Sequence, residues 1–390
     1  MTRAPETFRQ NYNIEAHVLT EVTEIDAKNR RVRACRLDTG EERWEAFDKL
    51  MIAVGAVPIH PKVTGIDSEG IYGLNTLQSG IEVRRAVDEK RPSHAVIVGG
   101  GYIGIEMAEA LLLRGIHVSI IDKMPQVMNT LDADMAQLVA EALRNAGVDV
   151  HLEESLEGFD THDGRVRAVI TDKRTLPTEI VILGMGVRPN SGLAKRAGIP
   201  LGVRDAIKVN NRMETMTPGI WAAGDCVESF HLVSRQPFYV ALGTVANKQG
   251  RIAGINIGGG HAAFTGVVGT AITKFKDLEI ARTGLQQKEI ESLHLDHVTA
   301  TIKSTTRARY YPSADPITVK IMAEKGSGRL LGGQIVGYEG AGKRIDILAT
   351  ALHTGMTVDE MIHLDLSYAP PFAPVWDPVL IAVRQIVKQV

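Results

Sequence analysis

Residues 99–104, Gly-Gly-Gly-Tyr-Ile-Gly, carry the clearest chemical signal in the sequence. A short apolar run precedes them and apolar residues at helical spacing follow, which predicts a turn between a strand and a helix. In such a turn Gly99 permits a tight bend, Gly101 lets the backbone approach a pyrophosphate, and Gly104 lets helix and strand pack closely. The unpaired N–H groups at the helix start would face the phosphates. The motif predicts dinucleotide binding; the alternative is a glycine-rich turn that binds nothing.

Asp122 ends the next predicted strand and follows Gly101 by 21 residues. At that distance an acidic side chain accepts hydrogen bonds from an adenosine ribose. A carboxylate repels a 2′-phosphate, so Asp122 favours NADH over NADPH. The adjacent Lys123 weakens that preference.

A second signal lies at residues 217–225, Thr-Pro-Gly-Ile-Trp-Ala-Ala-Gly-Asp. The predicted strand ends in small residues, which allow another backbone or a ligand to come close. Asp225 then stands at the carboxyl end of the strand, where ligands of α/β sheets bind. Taken alone, a Gly-Asp pair more often marks a simple turn.

The elements that position the first motif alternate between strand and helix. They are predicted at residues 95–98, 102–114, 118–121, 135–145 and 148–152. This βαβαβ order predicts a doubly wound parallel sheet. Residues 164–183 are expected to close that domain as a β-meander.

The remaining chain is predicted to be β-rich at both ends. The first fifty residues read as hairpin strands followed by a buried strand at 49–55, and one helix is predicted at 244–256. Residues 265–390 read as a separate α+β domain. Its predicted strands lie at 267–275, 298–303, 317–323 and 331–336, and its helices at 344–354, 357–362 and 379–390.

Composition excludes several classes of protein. A chain of 390 residues suits two or three domains. Its 44 basic and 46 acidic residues leave a net charge of −2, which argues against a nucleic-acid binder. Two cysteines exclude a disulfide scaffold and favour the cytoplasm. No apolar run has membrane-spanning length, and no metal site is predicted.

Several motifs together resemble a known family. Residues 53–56, 99–104 with Glu106, and 220–225 follow the order found in flavoprotein disulfide reductases. Segments 243–251, 281–285, 343–346 and 368–372 are similar to coenzyme A-disulfide reductases and the related NADH oxidases, peroxidases and persulfide reductases. The whole chain thus resembles the pyridine nucleotide-disulfide oxidoreductase family, in its coenzyme A-disulfide reductase and NADH oxidase group.

The resemblance implies an α/β fold with FAD- and NAD(P)-binding doubly wound domains and a C-terminal α+β dimerisation domain, hence a homodimer. The implied ranges are 1–57 and 187–264 for an incomplete FAD domain, 58–186 for the NAD(P) domain and 265–390 for dimerisation. The implied cofactor-binding residues are Gly55, Gly99, Gly101, Tyr102, Ile103, Gly104, Asp122, Gly186, Gly224, Asp225, Gly243, Thr244 and Ala246.

The resemblance also implies four catalytic residues. Tyr102 matches a tyrosine that covers the nicotinamide pocket, and Glu106 an acid on the same helix that faces the site. Tyr368 matches a tyrosine that the dimer partner contributes to the substrate site, with Tyr311 or its neighbour Tyr310 as companion. The alternatives are that Tyr102 and Tyr368 only pack and that Glu106 is a solvated helix residue.

The sequence departs from the family at its start. The family's first glycine motif, which binds the ADP half of FAD, and its redox cysteine are not found, so we expect an N-terminally truncated copy. An incomplete FAD sheet would leave unpaired edges and exposed apolar faces. Cys35, in a predicted strand, and Cys226, a small apolar filler, are not expected to be catalytic.

The implied activity is FAD-dependent transfer of electrons from NAD(P)H to a disulfide or persulfide such as coenzyme A disulfide, with a role in cell redox homeostasis. One alternative is an NADH oxidase or peroxidase on the same scaffold. Another is an inactive, nicotinamide-binding dimeric remnant. A membrane-bound quinone reductase is disfavoured, because the C-terminal helix is amphipathic and carries Arg384 and Lys388.

Overall fold

A computed structural model describes residues 4–390. The first three residues, where the first predicted domain begins, lie outside the described part. The chain forms two compact units. Unit 1 contains the chain up to Ala56 with residues 188–229 and 237–265, and unit 2 contains residues 57–187, 230–236 and 266–390. The division into an FAD domain, an NAD(P) domain and a dimerisation domain stays a prediction.

The chain begins in unit 1 with a short helix and an antiparallel three-stranded sheet, β1-β2-β3. The elements are α1 Pro5–Tyr12, β1 Thr20–Asp26, β2 Arg31–Arg36, β3 Glu42–Ala46 and β4 Leu50–Ile52, and β5 Ala56–Pro58 runs from unit 1 into unit 2. The hairpin strands agree with the prediction. Helix α1 was not predicted; Pro5 at its first turn and Glu6 beside the helix start favour it locally.

The next segment builds the five-stranded parallel sheet of unit 2, in the order β6-β13-β7-β8-β9. Its elements are β6 Ile71–Gly73, α2 Leu77–Lys90, β7 His94–Val98, α3 Tyr102–Leu112, β8 His117–Asp122, α4 Ala133–Asn145, β9 Asp149–Leu152, β10 Leu156–His162, β11 Arg165–Thr171, β12 Thr175–Pro177, β13 Ile180–Leu183 and β14 Val187–Pro189. The predicted doubly wound βαβαβ unit is confirmed.

The predicted meander at 164–183 is only partly right. Strands β10, β11 and β12 form a separate antiparallel sheet, but β13 enters the parallel sheet between β6 and β7. All four residues of β13 are buried apolar side chains. A strand that is apolar on both faces fits the interior of a parallel sheet better than a half-exposed meander.

The second part of unit 1 contributes strand β15, which pairs in parallel with β4. Its elements, with the short links around it, are α5 Gly192–Arg196, a 3-10 turn at Val203–Asp205, β15 Ile220–Ala222, β16 Ser229–Phe230, β17 Pro237–Phe238 and α6 Gly243–Ile257. β15 and β4 form a parallel pair with no third strand among the described residues. The strand predicted as buried at 49–55 is therefore buried only in part: Ile52 is covered, whereas Met51 is 36% exposed.

The C-terminal part of unit 2 is an antiparallel sheet in the order β18-β19-β22-β21-β20. Its elements are β18 Ala271–Phe275, β19 Leu278–Gly284, α7 Gln287–Ser292, β20 His297–Thr305, β21 Pro316–Glu324, β22 Leu330–Gly337, α8 Ile345–Thr354, α9 Val358–Met361 and α10 Pro378–Ile386. Strand β19 and helix α7 were not predicted.

This antiparallel sheet has two covered faces. One face packs against α8 and α10 around residues such as Leu348 and Val383. The other contributes Phe275, Ile280 and Val336 to the same apolar core as the parallel sheet. Burying each such side chain contributes roughly 1.5–3 kcal/mol, so the shared core binds the two sheets into one unit. Within residues 4–390, no helix combines the length and apolar character needed to cross a bilayer.

Candidate active site

The glycine turn of unit 2 leaves least room for side chains at Gly99 and Gly104. A Cβ on Gly104 would lie 2.0 Å from the Gly99 carbonyl oxygen, and one on Gly99 would lie 2.6 Å from the Gly184 carbonyl oxygen. Gly99 also has a φ of +107°, which favours glycine. Tight turning and close helix packing, as predicted from the sequence, therefore explain these two glycines.

Gly101 differs, because a Cβ there would meet no atom within 4 Å. It is the N-cap residue of α3, and no side chain caps that helix start. The first N–H groups of α3 are thus free to bind an anionic group. The space beside Gly101 is what a pyrophosphate lying against the backbone would need.

Asp122 lies at the carboxyl end of β8 and is held by backbone donors. The Gly100 N–H donates to its Oδ2 at 2.8 Å, and the Met124 N–H donates to its Oδ1 at 2.9 Å. These bonds orient the carboxylate beside the glycine turn. Each oxygen keeps a further lone pair for a ribose hydroxyl.

These residues surround a cleft of about 580 Å³ that is wholly within unit 2. This is the size of a small-molecule site. Of the predicted residues, the lining includes Gly99, Gly101, Tyr102, Ile103, Asp122 and Gly186. Asn129, Thr130 and Glu154 also line it and were not predicted. We call it the nucleotide cleft.

Tyr102 is the first residue of α3, and its ring lies in the nucleotide cleft. The Thr130 hydroxyl donates to the phenol oxygen at 3.3 Å. Burial raises the pKa of Tyr102, while that hydrogen bond and the charge of Arg282 oppose the rise. The phenol is therefore neutral at physiological pH.

Glu106 lies one turn further along α3 and lines a different cleft. The Thr273 hydroxyl of β18 donates to Glu106 Oε1 at 2.8 Å. This second cleft, of about 550 Å³, also contains Glu109, Glu279 and Lys274. The predicted role of Glu106 beside the nucleotide stays a prediction.

Unit 1 brings a second group of predicted residues together at the ends of β4 and β15. Gly55 follows β4 and Gly224 follows β15, both with positive φ. A Cβ on Gly224 would lie 3.6 Å from the Cβ of Ala246 in α6. Gly243 and Thr244 form the exposed first turn of α6, which no side chain caps.

Asp225 stands next to Gly224 with one buried carboxylate oxygen, Oδ1, that has no hydrogen-bond partner among the described residues. Burial raises the pKa of this carboxyl group. The Tyr239 hydroxyl donates to the Asp225 backbone oxygen at 2.9 Å and leaves the side chain free. A buried acceptor without a donor is costly unless a ligand supplies the donor.

The predicted tyrosines of the C-terminal part are exposed. Tyr368 is 47% exposed and Tyr310 is 78% exposed. A hydrogen bond with the Tyr310 hydroxyl raises the pKa of Tyr368. The backbone N–H of Tyr311 donates to the Ala308 oxygen in the adjacent turn. Which of Tyr311 and Tyr310 accompanies Tyr368 stays a prediction.

Neither cysteine lines the nucleotide cleft. Cys226 is fully buried behind Asp225, and burial raises the pKa of its thiol. Cys35 is half-buried in β2, with the Arg36 backbone oxygen 3.7 Å from its sulfur. That neither thiol is the redox centre stays a prediction.

Comparison with known proteins assigns the family. Residues 3–250 match the model described as pyridine nucleotide-disulphide oxidoreductase, and residues 270–378 match its dimerisation domain. The chain belongs to the pyridine nucleotide-disulphide oxidoreductase family. It is therefore an oxidoreductase by family, with the predicted fold class confirmed.

Three relatives illustrate its place in the pyridine nucleotide-disulphide oxidoreductases. An NAD(P)H sulfur oxidoreductase (CoA-dependent) of Pyrococcus furiosus is 37% identical over 97% of this chain and 85% of its own length. A coenzyme A disulfide reductase of Staphylococcus haemolyticus is 28% identical over 95% of this chain and 82% of its own. The solved NAD-dependent persulfide reductase of A. fulgidus is 38% identical with a TM-score of 0.96, over 100% of this chain and 71% of that one. The expected truncation is not confirmed by these matches.

Proposed function

We propose that this protein uses NAD(P)H and FAD to reduce a sulfur–sulfur bond of a small molecule such as coenzyme A disulfide or a persulfide. The observation that carries the proposal is the nucleotide cleft, with Gly101 open, Asp122 at its edge and Tyr102 in its wall. The relatives that act on sulfur compounds and coenzyme A support the choice of acceptor.

The nucleotide cleft supplies a contact for each part of NADH. The first N–H groups of α3 would hold the pyrophosphate, and the Asp122 carboxylate would accept from the adenosine ribose. The neutral Tyr102 ring would cover the nicotinamide and keep water from it. Because Asp122 is negatively charged, NADH is the preferred form over NADPH.

The residues gathered at the ends of β4 and β15, namely Gly55, Gly224, Asp225, Gly243, Thr244 and Ala246, fit FAD. We call them the Asp225 group. The free Oδ1 of Asp225 would accept from a ribityl hydroxyl, and the small residues Gly224 and Ala246 leave room beside it. The uncapped start of α6 would stabilise negative charge near its N–H groups. The chemistry that bound FAD supplies is acceptance of a hydride equivalent and release of two electrons.

The net reaction consumes one NAD(P)H and one proton for each disulfide and yields two thiols. The sulfur–sulfur bond breaks, and nicotinamide is oxidised by two electrons. Tyr368 and Tyr310 would donate hydrogen bonds to the substrate. In a homodimer, each subunit would contribute this pair to the substrate site of its partner. The two free cysteines support a reducing compartment such as the cytoplasm for this chemistry.

The match to the family's dimerisation domain and the exposed aromatic side chains near Tyr368 support a homodimer. Phe372 is 75% exposed and Trp376 is 43% exposed, and a second copy of the chain would cover them. Light scattering behind size exclusion should give twice the chain mass. Phe372→Asp should shift the protein toward monomer.

The decisive test is an anaerobic visible spectrum of the purified chain, with FAD added, before and after NADH. A flavin band that bleaches with NADH and returns on addition of coenzyme A disulfide, with two thiols formed per NADH, would support the proposal. Protein that binds NADH but retains no flavin would overturn it in favour of a nicotinamide-binding remnant. NADH consumption that requires oxygen and ignores the disulfide would identify an NADH oxidase.

The tyrosine pair provides a matched test of the substrate side. Tyr310→Phe and Tyr368→Phe should each lower turnover with coenzyme A disulfide about three- to tenfold, the worth of one hydrogen bond. Tyr311→Phe is the control and should leave turnover unchanged. Equal losses in the Tyr310 and Tyr311 variants would contradict the choice of Tyr310 as the companion of Tyr368.

A further inference from the structure

The loop between the nucleotide cleft and α4 is held from both sides. On one side Asn129 and Thr130 line the cleft, and the Thr130 hydroxyl donates to the Tyr102 oxygen. On the other side Asp132 and Asp134 point into the antiparallel sheet. Every contact in this arrangement lies within unit 2.

Lys320 is the central feature of the sheet side. It lies in the middle of β21, between Val319 and Ile321, and is only 4% exposed. Its Nζ lies 2.8 Å from Asp134 Oδ1 and 3.1 Å from Asp132 Oδ2. Burying an ammonium group is costly even when it is paired, so apolar packing alone would not place a lysine here.

Gln334 adds a second contact from the neighbouring strand. It is the cross-strand partner of Lys320 in the β21–β22 ladder and is 1% exposed. Its Oε1 accepts from the Asp132 backbone N–H at 2.8 Å. The sheet therefore binds both the backbone and the side chain of Asp132.

Helix α7 closes the arrangement from a third direction. The Gln287 N–H donates to Asp132 Oδ1 at 3.0 Å. The Gln286 side chain and the Lys288 ammonium both donate to the Asn129 backbone oxygen, at 3.0 and 2.9 Å. The Thr301 hydroxyl reaches Asp134 at 3.4 Å. The loop is thus held at residues 129 and 132, on either side of Thr130, and Asp134 holds the first turn of α4 that follows it.

We propose that Lys320 and Gln334 are positioning residues for nucleotide binding: they hold the loop of residues 129–132 and the start of α4, so that Thr130 keeps Tyr102 in place over the nucleotide cleft. The inference rests on the proposed function, because it takes NADH as the ligand of that cleft. Holding the loop in advance lowers the ordering cost of binding, so releasing it should weaken NADH binding without any change in a residue that touches NADH.

The experiment measures the dissociation constant of NADH by equilibrium dialysis with the full chain. Lys320→Met should raise it about three- to tenfold, the range for coupled neighbours. Thr130→Val should have the same effect. Because both substitutions act through one hydrogen bond to Tyr102, their effects should not add. The double variant should have the same dissociation constant for NADH as the single variant with the higher constant.

Leu348→Ala is the matched control. It removes buried side-chain volume on the opposite face of the same sheet, so it should lower the melting temperature while leaving the dissociation constant of NADH unchanged. If Lys320→Met does not fold, Gln334→Met is the second variant, because it removes the acceptor of the Asp132 N–H. It should raise the dissociation constant of NADH by the same three- to tenfold.

The outcomes separate this inference from the proposed function. Wild-type binding of NADH with an unchanged constant in Lys320→Met, or additive losses in the double variant, would overturn the inference alone. Equally weak NADH binding in Leu348→Ala would show that any loss of stability weakens NADH binding. That result would also overturn the inference. A wild-type chain that does not bind NADH would overturn the proposed function and the inference together.

Discussion

In unit 2, the glycine turn follows β7, the middle strand of a five-stranded parallel sheet, whereas in unit 1 Gly224 and Asp225 follow β15, which pairs only with β4 among the described strands. Parallel sheets are normally covered on both faces and contain more than two strands. The nucleotide cleft is therefore walled by a continuous core. The Asp225 group leaves Met51 and Val54 exposed beside it.

This difference shows that two ligand sites at strand ends can differ in how much they depend on their ligand. The nucleotide cleft has its backbone groups and carboxylate already oriented by hydrogen bonds within the protein. Asp225 keeps a buried oxygen for which the described residues supply no donor. We expect NADH to add to a site already formed, and FAD to stabilise unit 1 itself.

The largest effect is expected from Gly104→Val. Its Cβ would overlap the Gly99 carbonyl, so the turn must open, at a cost of about 3 kcal/mol or more and with loss of NADH binding. Gly101→Ala is the partner variant: it has room, so unit 2 should fold normally and bind NADH about tenfold more weakly. Thermal melting and dialysis measure both. A Gly104→Val variant that binds NADH normally would refute the rigid-cleft description.

The second prediction concerns acid stability of unit 2. Burial and the nearby Arg282 lower the pKa of His231 to about 4. Because this lies below the ordinary value of about 6.5, the folded state takes up the proton less readily than the unfolded chain, and stability is lost as pH falls from about 6.5 to about 4. The full loss is about 3 kcal/mol.

His231→Asn is the test of that loss. The Val233 and Ser234 N–H groups donate to His231 Nδ1, and an asparagine oxygen can accept the same bonds without titrating. Denaturant unfolding at a series of pH values should show wild type losing stability below pH 6.5 relative to the variant. Parallel curves would show that His231 does not control the loss.

The third prediction is smaller and concerns nucleotide choice. Wild type should bind NADH more tightly than NADPH, and Asp122→Ala should reduce that ratio about tenfold because the repulsion of a 2′-phosphate disappears. Competition dialysis measures both constants. Asp122→Asn removes the negative charge but keeps one oxygen that can accept from a backbone N–H. This variant therefore separates the effect of the charge from the effect of side-chain orientation. An unchanged ratio in both variants would place the adenosine elsewhere.

The smallest effect is expected in unit 1. Because burial raises the pKa of Asp225, its ionised form is less stable in the folded chain, and Asp225→Asn should melt about 1–2 °C higher at pH 7 without FAD. The gain in melting temperature should vanish at pH values below the ordinary Asp pKa of about 4. There the wild-type carboxyl is protonated in both the folded and the unfolded chain. This pH dependence is opposite to that of His231. With FAD present wild type should melt higher, and a variant that gains equally from FAD would exclude Asp225 as its ligand.

Several features of the site were accessible from local sequence. The turn at Gly99–Gly104, Asp122 at a strand end and the helix after Gly243 follow from short-range patterns, and the structure places each as predicted. Strand β19 was missed because it is an unbroken buried run without alternation, and β13 because its place in the sheet depends on strands far away in sequence. Tyr311 was predicted with its neighbour Tyr310 as an alternative, because neighbouring residues in a turn cannot be distinguished by pattern.

The sequence by itself therefore determined the order of strands and helices and the glycines and acid that define the nucleotide turn, since these depend on neighbours within a few residues. Only the tertiary structure decided that Glu106 turns toward Thr273 and that Lys320 and Gln334 meet Asp132. Those contacts join residues up to about two hundred positions apart, and no local pattern encodes which buried polar groups will face each other once the sheets have packed.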